Sequence, residues 1–168
     1  AHDNSAVRQT ADDALSRRIP PVEPESLRAP HGSRDQAVAR AHDNADWWHR
    51  LDEAEQRALI ETYPQHVGNA EGIPAAARHE ANSHAIAQER EQLHTRQDNG
   101  ERLTRAEQKH LNRLDKLDAA LQDARRTAEA AGVGGPHVLA FDPAAFHGEG
   151  RAIVAFGDDP YQAGSVSW

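Results

Sequence analysis

Apolar residues recur every three or four positions through most of the first 131 residues, and run together only near the end of the chain. Val7, Ala11, Ala14 and Leu15 share one face of a helix over 5–18, a face too small to hold without a neighbour. Pro20, Pro21, Pro24 and Pro30 then fix φ and forbid helix, so residues 1–32 read as a short helix followed by a Pro-rich strap. From Ser33 a longer helix carries Val38, Ala41, Ala45, Trp48 and Leu51 toward a core. Asp52 and Glu55 have the spacing of a capping box, which starts another helix through Ala58, Leu59 and Ile60 until Pro64 ends it.

In 65–74 (QHVGNAEGIP) Gly68, Asn69 and Gly72 tolerate positive φ, which predicts an ordered turn leading to Pro74 as the first residue of the next helix. That helix carries Ala77, Ala81, Ile86 and Leu93 and runs to about Thr95. After a reversal at 96–100, Thr104 and Glu107 open a helix whose seam of Leu114, Leu117, Leu121, Ala124 and Ala128 ends at Gly132. Residues 33–131 are thus a helical region with a long hairpin over 75–131. At 132–136 (GVGGP) the period changes, and 137–142, 150–158 and the start at 165–168 are short β-branched runs bounded by Gly, Pro and Asp. Residues 132–168 are therefore expected to open a sheet whose unpaired ladder is continued by polypeptide absent from this sequence. The expected class is α+β: a helical arm and hairpin, then the first strands of a larger sheet.

Composition narrows the function classes. Only 38% of the 168 residues are apolar and 5% are aromatic, so large core-forming side chains are sparse. Lys and Arg number 19 against 27 acidic residues, a formal charge of −8, which argues against nucleic acid or an anionic membrane as the main partner. No run is long and apolar enough to span a bilayer. Without cysteine there is no thiolate nucleophile, disulfide or zinc–sulfur site, and the redox compartment stays open. Without methionine, Ala1 is expected to follow processing, or the chain to be a segment of something longer. Localisation is not fixed, with export preferred over the cytoplasm.

The stretch 47–82 (WWHRLDEAEQRALIETYPQHVGNAEGIPAAARHEAN) resembles the region preceding the catalytic core in an actinobacterial α/β-hydrolase family long catalogued as a domain of unknown function. Trp48, Leu51, Pro64, Gly68, Asn69, Gly72, Pro74, Arg78 and Asn82 are among the matching positions, and 141–143 (FDP) and 150–158 (GRAIVAFGD) resemble the family's first strands. Ala70-Glu71 and Ser83 depart from the pattern, where Leu-Asp and Arg are expected. The resemblance implies that the strands begin an α/β-hydrolase sheet and that the parent protein is a serine esterase or lipase. Its nucleophile would stand on a G-x-S-x-G elbow, with His and Asp partners later in the chain. This chain has none of that machinery: 164–168 (GSVSW) offers Ser165 and Ser167 but lacks the second glycine and the strand–turn–helix context. The expected function is the N-terminal portion of such a hydrolase, inactive alone. The alternative is a non-catalytic helical interaction module or assembly subunit. The expected partner is a catalytic polypeptide, from the same protein or another chain, that completes the sheet.

Other chemistry weighs less. In 79–84 (HEANSH) the two histidines are five apart, whereas zinc binding on one helix face needs four, so His79 is expected to be solvated and Glu80 to pair with His84. No metal or cofactor is expected. Trp47 and Trp48 lie about 100° apart on a helix, so one should face the core and the other an adjacent groove or a partner. Asp142 before Pro143 reads as a turn initiator rather than a catalytic carboxylate. Trp47, Trp48, Asn69, Gly72, Pro74, Arg78, Asn82, Asp142, Gly150 and Arg151 remain as structural organisers. Protonating the eleven histidines carries the net charge from −8 through zero near pH 6.5, and scattered surface histidines with no designed role account for that titration.

Overall fold

The computed structural model describes residues 4–18, 23–27, 33–142 and 151–155. Six α-helices precede two strands among them: α1 (Ser5–Ser16), α2 (Arg34–Arg50), α3 (Glu53–Thr62), α4 (Pro64–Gly68), α5 (Ala75–Asp98), α6 (Arg105–Ala131), β1 (His137–Asp142) and β2 (Arg151–Ala155), with a single 3-10 turn at Pro24–Leu27.

Local chemistry explains where the helices start and stop. Ser33 with Gln36, and Asp52 with Glu55, form complete capping boxes at α2 and α3, and Thr104 accepts from the Glu107 amide at α6. Gly132 ends α6 in the left-handed region, as a C-terminal glycine does. Pro64 does more than end α3, because its fixed φ suits a first helical position, and it starts the five-residue α4 where a turn was expected. Pro74 flanks α5 instead of opening it, and α5 runs on to Asp98.

Two apolar clusters hold these elements. The first joins Ala11, Ala14 and Leu15 of α1 to Leu27, Trp47, Trp48, Leu59 and Val67. Both tryptophans are buried, edge to face at 6.1 Å, so neither is left for a partner surface. Trp47 Nε1 donates to the Ala14 carbonyl (2.8 Å), adding a second donor to an acceptor that the Arg17 amide holds at 3.3 Å at the end of α1. Val38, expected in the core, is half exposed instead. The second cluster joins Ala85, Ile86 and Leu93 of α5 to Leu111 and Leu114 of α6 and to Val138 and Phe141 of β1. The hairpin of α5 and α6 is braced by Arg90 on Asp115 and Asp118 (3.0 and 3.1 Å) and by His110 on Glu89 (2.7 Å).

The α+β expectation is corrected here. The molecule is largely helical, and its sheet among the described residues is two antiparallel strands, not the opening of an α/β-hydrolase sheet. The physical reason is that the edge of β1 away from β2 is occupied by helix side chains, so no strand can pair there. The expected strand at 165–168 lies outside the described residues, as do Gly150 and the ends of 150–158 beyond β2.

Candidate functional site

The site forms where the α4–α5 corner meets β1. Gly72 adopts φ +93°, and a Cβ there would lie 1.9 Å from the Ala41 carbonyl oxygen, so only glycine lets the turn approach α2 this closely. Behind the turn, the buried Gly68 carbonyl accepts from Arg78 Nε (3.1 Å) and Asn82 Nδ2 (2.9 Å), which ties the end of α4 to α5. Arg78 and Asn82 are one helical turn apart, so both reach the same side of α5, and His79 stands beside them.

These side chains do for β1 what a neighbouring strand would do. Asn69 Oδ1 accepts from the Phe141 amide (3.0 Å) and Asn69 Nδ2 donates to the Phe141 carbonyl (2.9 Å), the two bonds that a paired strand residue exchanges. Asn82 Nδ2 donates to the Val138 carbonyl (2.8 Å), His79 Nδ1 accepts from the Val138 amide (3.0 Å), and an Arg78 amino group donates to the Leu139 carbonyl. In a regular strand, positions 138 and 141 face opposite edges. The irregularity between Val138 and Ala140 leaves Leu139 without a partner in β2 and turns both positions toward the helices. The bulge thus makes this seating possible.

The electrostatics follow from burial. Arg78 and Asn82 are buried and aim their donors at backbone carbonyls, which meets the requirement that buried polar groups be bonded. Asn82 Oδ1 is the exception and has no partner. Burial pushes the His79 pKa below the ordinary histidine value, helped by His137, whose ring stands edge to face at 5.8 Å, and by Arg125. His79 is therefore a half-buried strand acceptor and not a solvated histidine, and His84 lies against Gln88 (3.1 Å).

Next to His79 a cleft of about 370 Å³ contains Ser83, Asp118, Arg125 and His137. Ser83, His79 and Asp118 do not make a catalytic triad. Because His79 Nδ1 accepts the Val138 amide, the neutral ring carries its proton on Nε2, whereas a triad histidine must accept at Nε2. Asp118 is held by Arg90 and by Gln122 (2.8 Å). No group of three or more His, Cys, Asp or Glu side chains among the described residues is placed to hold a metal ion. None of the described helices is long and apolar enough to cross a membrane.

Of the organisers read from sequence, Asn69, Arg78 and Asn82 converge on β1, with Gly72 and Pro74 shaping the turn that presents them. Trp47 and Trp48 belong to the other cluster. Asp142 ends β1 opposite Arg151 in the strand register, and Gly150 is outside the described residues. His79 was missed as a member of the site. The sequence held one signal for it, its position one residue from Arg78 and three from Asn82 on the same helix.

What the fold and site define is a helical scaffold that holds a β-hairpin by one edge. The chain is similar to two uncharacterized proteins of Mycobacterium tuberculosis, Rv2079 and MT2140, each 29% identical over 161 residues. The matches cover 87% of this chain but 23% of those proteins, so it spans about a quarter of the length of the curated relatives it matches. No family model and no solved structure matches it.

Proposed function

We propose that this chain is a non-catalytic helical module that seats a β-hairpin within a larger protein and fixes which edge of that hairpin is open to further polypeptide. The observation that carries this reading is the closed edge of β1, where Asn69, Arg78, His79 and Asn82 take the hydrogen bonds a further strand would use. The greater length of the mycobacterial relatives supports a setting of this kind. The test has two arms. The 168-residue chain should turn over neither short nor long acyl esters and should not react with a serine-directed fluorophosphonate. Replacing Asn82 with Leu should raise hydrogen exchange across 137–142 while α5 and α6 stay protected. Turnover by the chain, or unchanged exchange in the variant, would overturn the proposal.

A second reading concerns the larger protein. We infer that its activity is ester or lipid hydrolysis by a serine nucleophile, because Gly68, Asn69, Gly72, Arg78 and Asn82, which carry the hydrolase resemblance, gather at the hairpin seat rather than scatter through the fold. Residues that seat a hairpin are what an inactive N-terminal region would need. Fluorophosphonate labelling of the mycobacterial relative, followed by peptide mapping, should mark a serine outside the segment matched by this chain. Absence of labelling in an otherwise folded relative would refute it.

A further inference from the structure

The hairpin seat contains one titratable acceptor whose charge state decides whether it can work. His79 Nδ1 accepts the Val138 amide at 3.0 Å, and a protonated imidazolium has no acceptor to offer. Protonation would put an N–H against an N–H at the start of β1. The groups around this ring make that outcome worse. His137 of β1 stands edge to face at 5.8 Å, and Arg125 of α6 lines the same cleft as a further cation. Asp118 of α6 also faces the cleft, but its carboxylate is engaged by Arg90 and Gln122. We propose that His79 is a pH-sensitive latch: neutral, it holds the N-terminal half of β1 on α5, and protonated, it lets that half go. The proposal rests on the hairpin-seating role given above.

The direction is fixed by linkage. Burial, with His137 and Arg125, lowers the seated ring's pKa, whereas in the released hairpin it returns to the ordinary value near 6.5. The released form therefore binds the proton more tightly. Seating is at full strength above about pH 6.5 and weakens as pH falls toward the lower pKa of the seated ring, by up to about tenfold per pH unit in the opening equilibrium. Only this half of the strand should respond, because Asn69 holds Phe141 with a carboxamide that does not titrate. The other histidines of α5 are placed differently: His84 meets Gln88, and His94 meets Asp115.

Amide exchange of the 168-residue chain, expressed as protection factors so that intrinsic pH effects cancel, tests this at pH 7.5 and pH 5. Val138 should lose protection severalfold, up to about thirtyfold, at pH 5 while Phe141 keeps most of its own. The ring nitrogen shifts of His79 should report Nδ1 without a proton at pH 7.5. His79→Asn keeps an acceptor close to the position of Nδ1 and should flatten the dependence, and His137→Asn should leave part of it in place. Strong protection of Val138 at both pH values would overturn the latch and leave the seating role intact. Absence of protection at pH 7.5 would overturn both. If His79→Asn does not fold, the ring shifts and the wild-type protection still decide, and a proton on Nδ1 at pH 7.5 would refute the latch.

Discussion

Replacing Gly68 with Ala probes the seat at its tightest point. The new Cβ would lie 1.9 Å from Asn82 Oδ1 and 2.4 Å from its Cγ, so the carboxamide must move. Overpacking of this kind costs about 1–3 kcal/mol. When Asn82 moves, the Val138 carbonyl loses its donor at 2.8 Å, whereas the Gly68 carbonyl keeps Arg78. One buried acceptor left without a partner costs about 1–3 kcal/mol more. Gly68→Ala should therefore destabilise the chain by about 2–6 kcal/mol in urea titrations at pH 7.5. Asn82→Ala removes the obstructing side chain and the same hydrogen bonds, so adding Gly68→Ala to it should change stability by no more than about 1 kcal/mol, the scale of the helix preference between Gly and Ala. The double-mutant cycle should then yield a coupling of at least about 1 kcal/mol, above the few tenths seen for independent sites. Additive effects within about 0.5 kcal/mol would refute the argument, because they would mean that Gly68 and Asn82 do not share this space.

Glycines elsewhere should rank by their surroundings: Gly72→Ala, with a positive φ and a backbone oxygen in the way, should lower Tm far more than Gly100→Ala, whose φ is +83° with nothing within 4 Å of a new Cβ. Thermal melts check the order, and equal shifts would contradict it. Trp47→Phe keeps most of the buried area but removes one of the two donors to the Ala14 carbonyl, so it should cost about 0.5–1.5 kcal/mol and raise exchange in α1 before α5 or α6. Burial raises the Asp115 pKa, but hydrogen bonds from His94 and Arg90 outweigh it and hold the carboxyl below its usual value. A lowered carboxyl pKa stabilises the fold above the unfolded value near 3.9, and this is lost as pH falls through the folded value. Asp115→Asn should accordingly flatten the acid limb of the stability curve between about pH 5 and pH 2.

The helices were legible because their signals are local. Capping boxes at Ser33 and Asp52 and the left-handed stop at Gly132 act within a few residues, and the apolar spacing of α5 and α6 needs no distant information. The five-residue α4 is too short to show a period, and Pro64 carries both a stop and a start. Asn69, Arg78 and Asn82 stood out in the sequence, but their partners lie 56 to 72 positions later, where no local pattern connects them. The strand pattern of 137–142 marks β1 without saying what pairs with it. An asparagine carboxamide offers a donor and an acceptor as a peptide group does, so the expected strand neighbour is here a set of side chains. The Leu139 bulge, which turns Phe141 toward Asn69, has no glycine or proline within β1 to announce it.

The claim that side chains close the outer edge of β1 is tested most directly by hydrogen-bond scalar couplings in the uniformly labelled 168-residue chain. A long-range HNCO experiment at pH 7.5 should connect the Phe141 amide nitrogen to the Asn69 side-chain carbonyl carbon, the bond seen at 3.0 Å. A coupling from that amide to a backbone carbonyl of another strand would contradict the account.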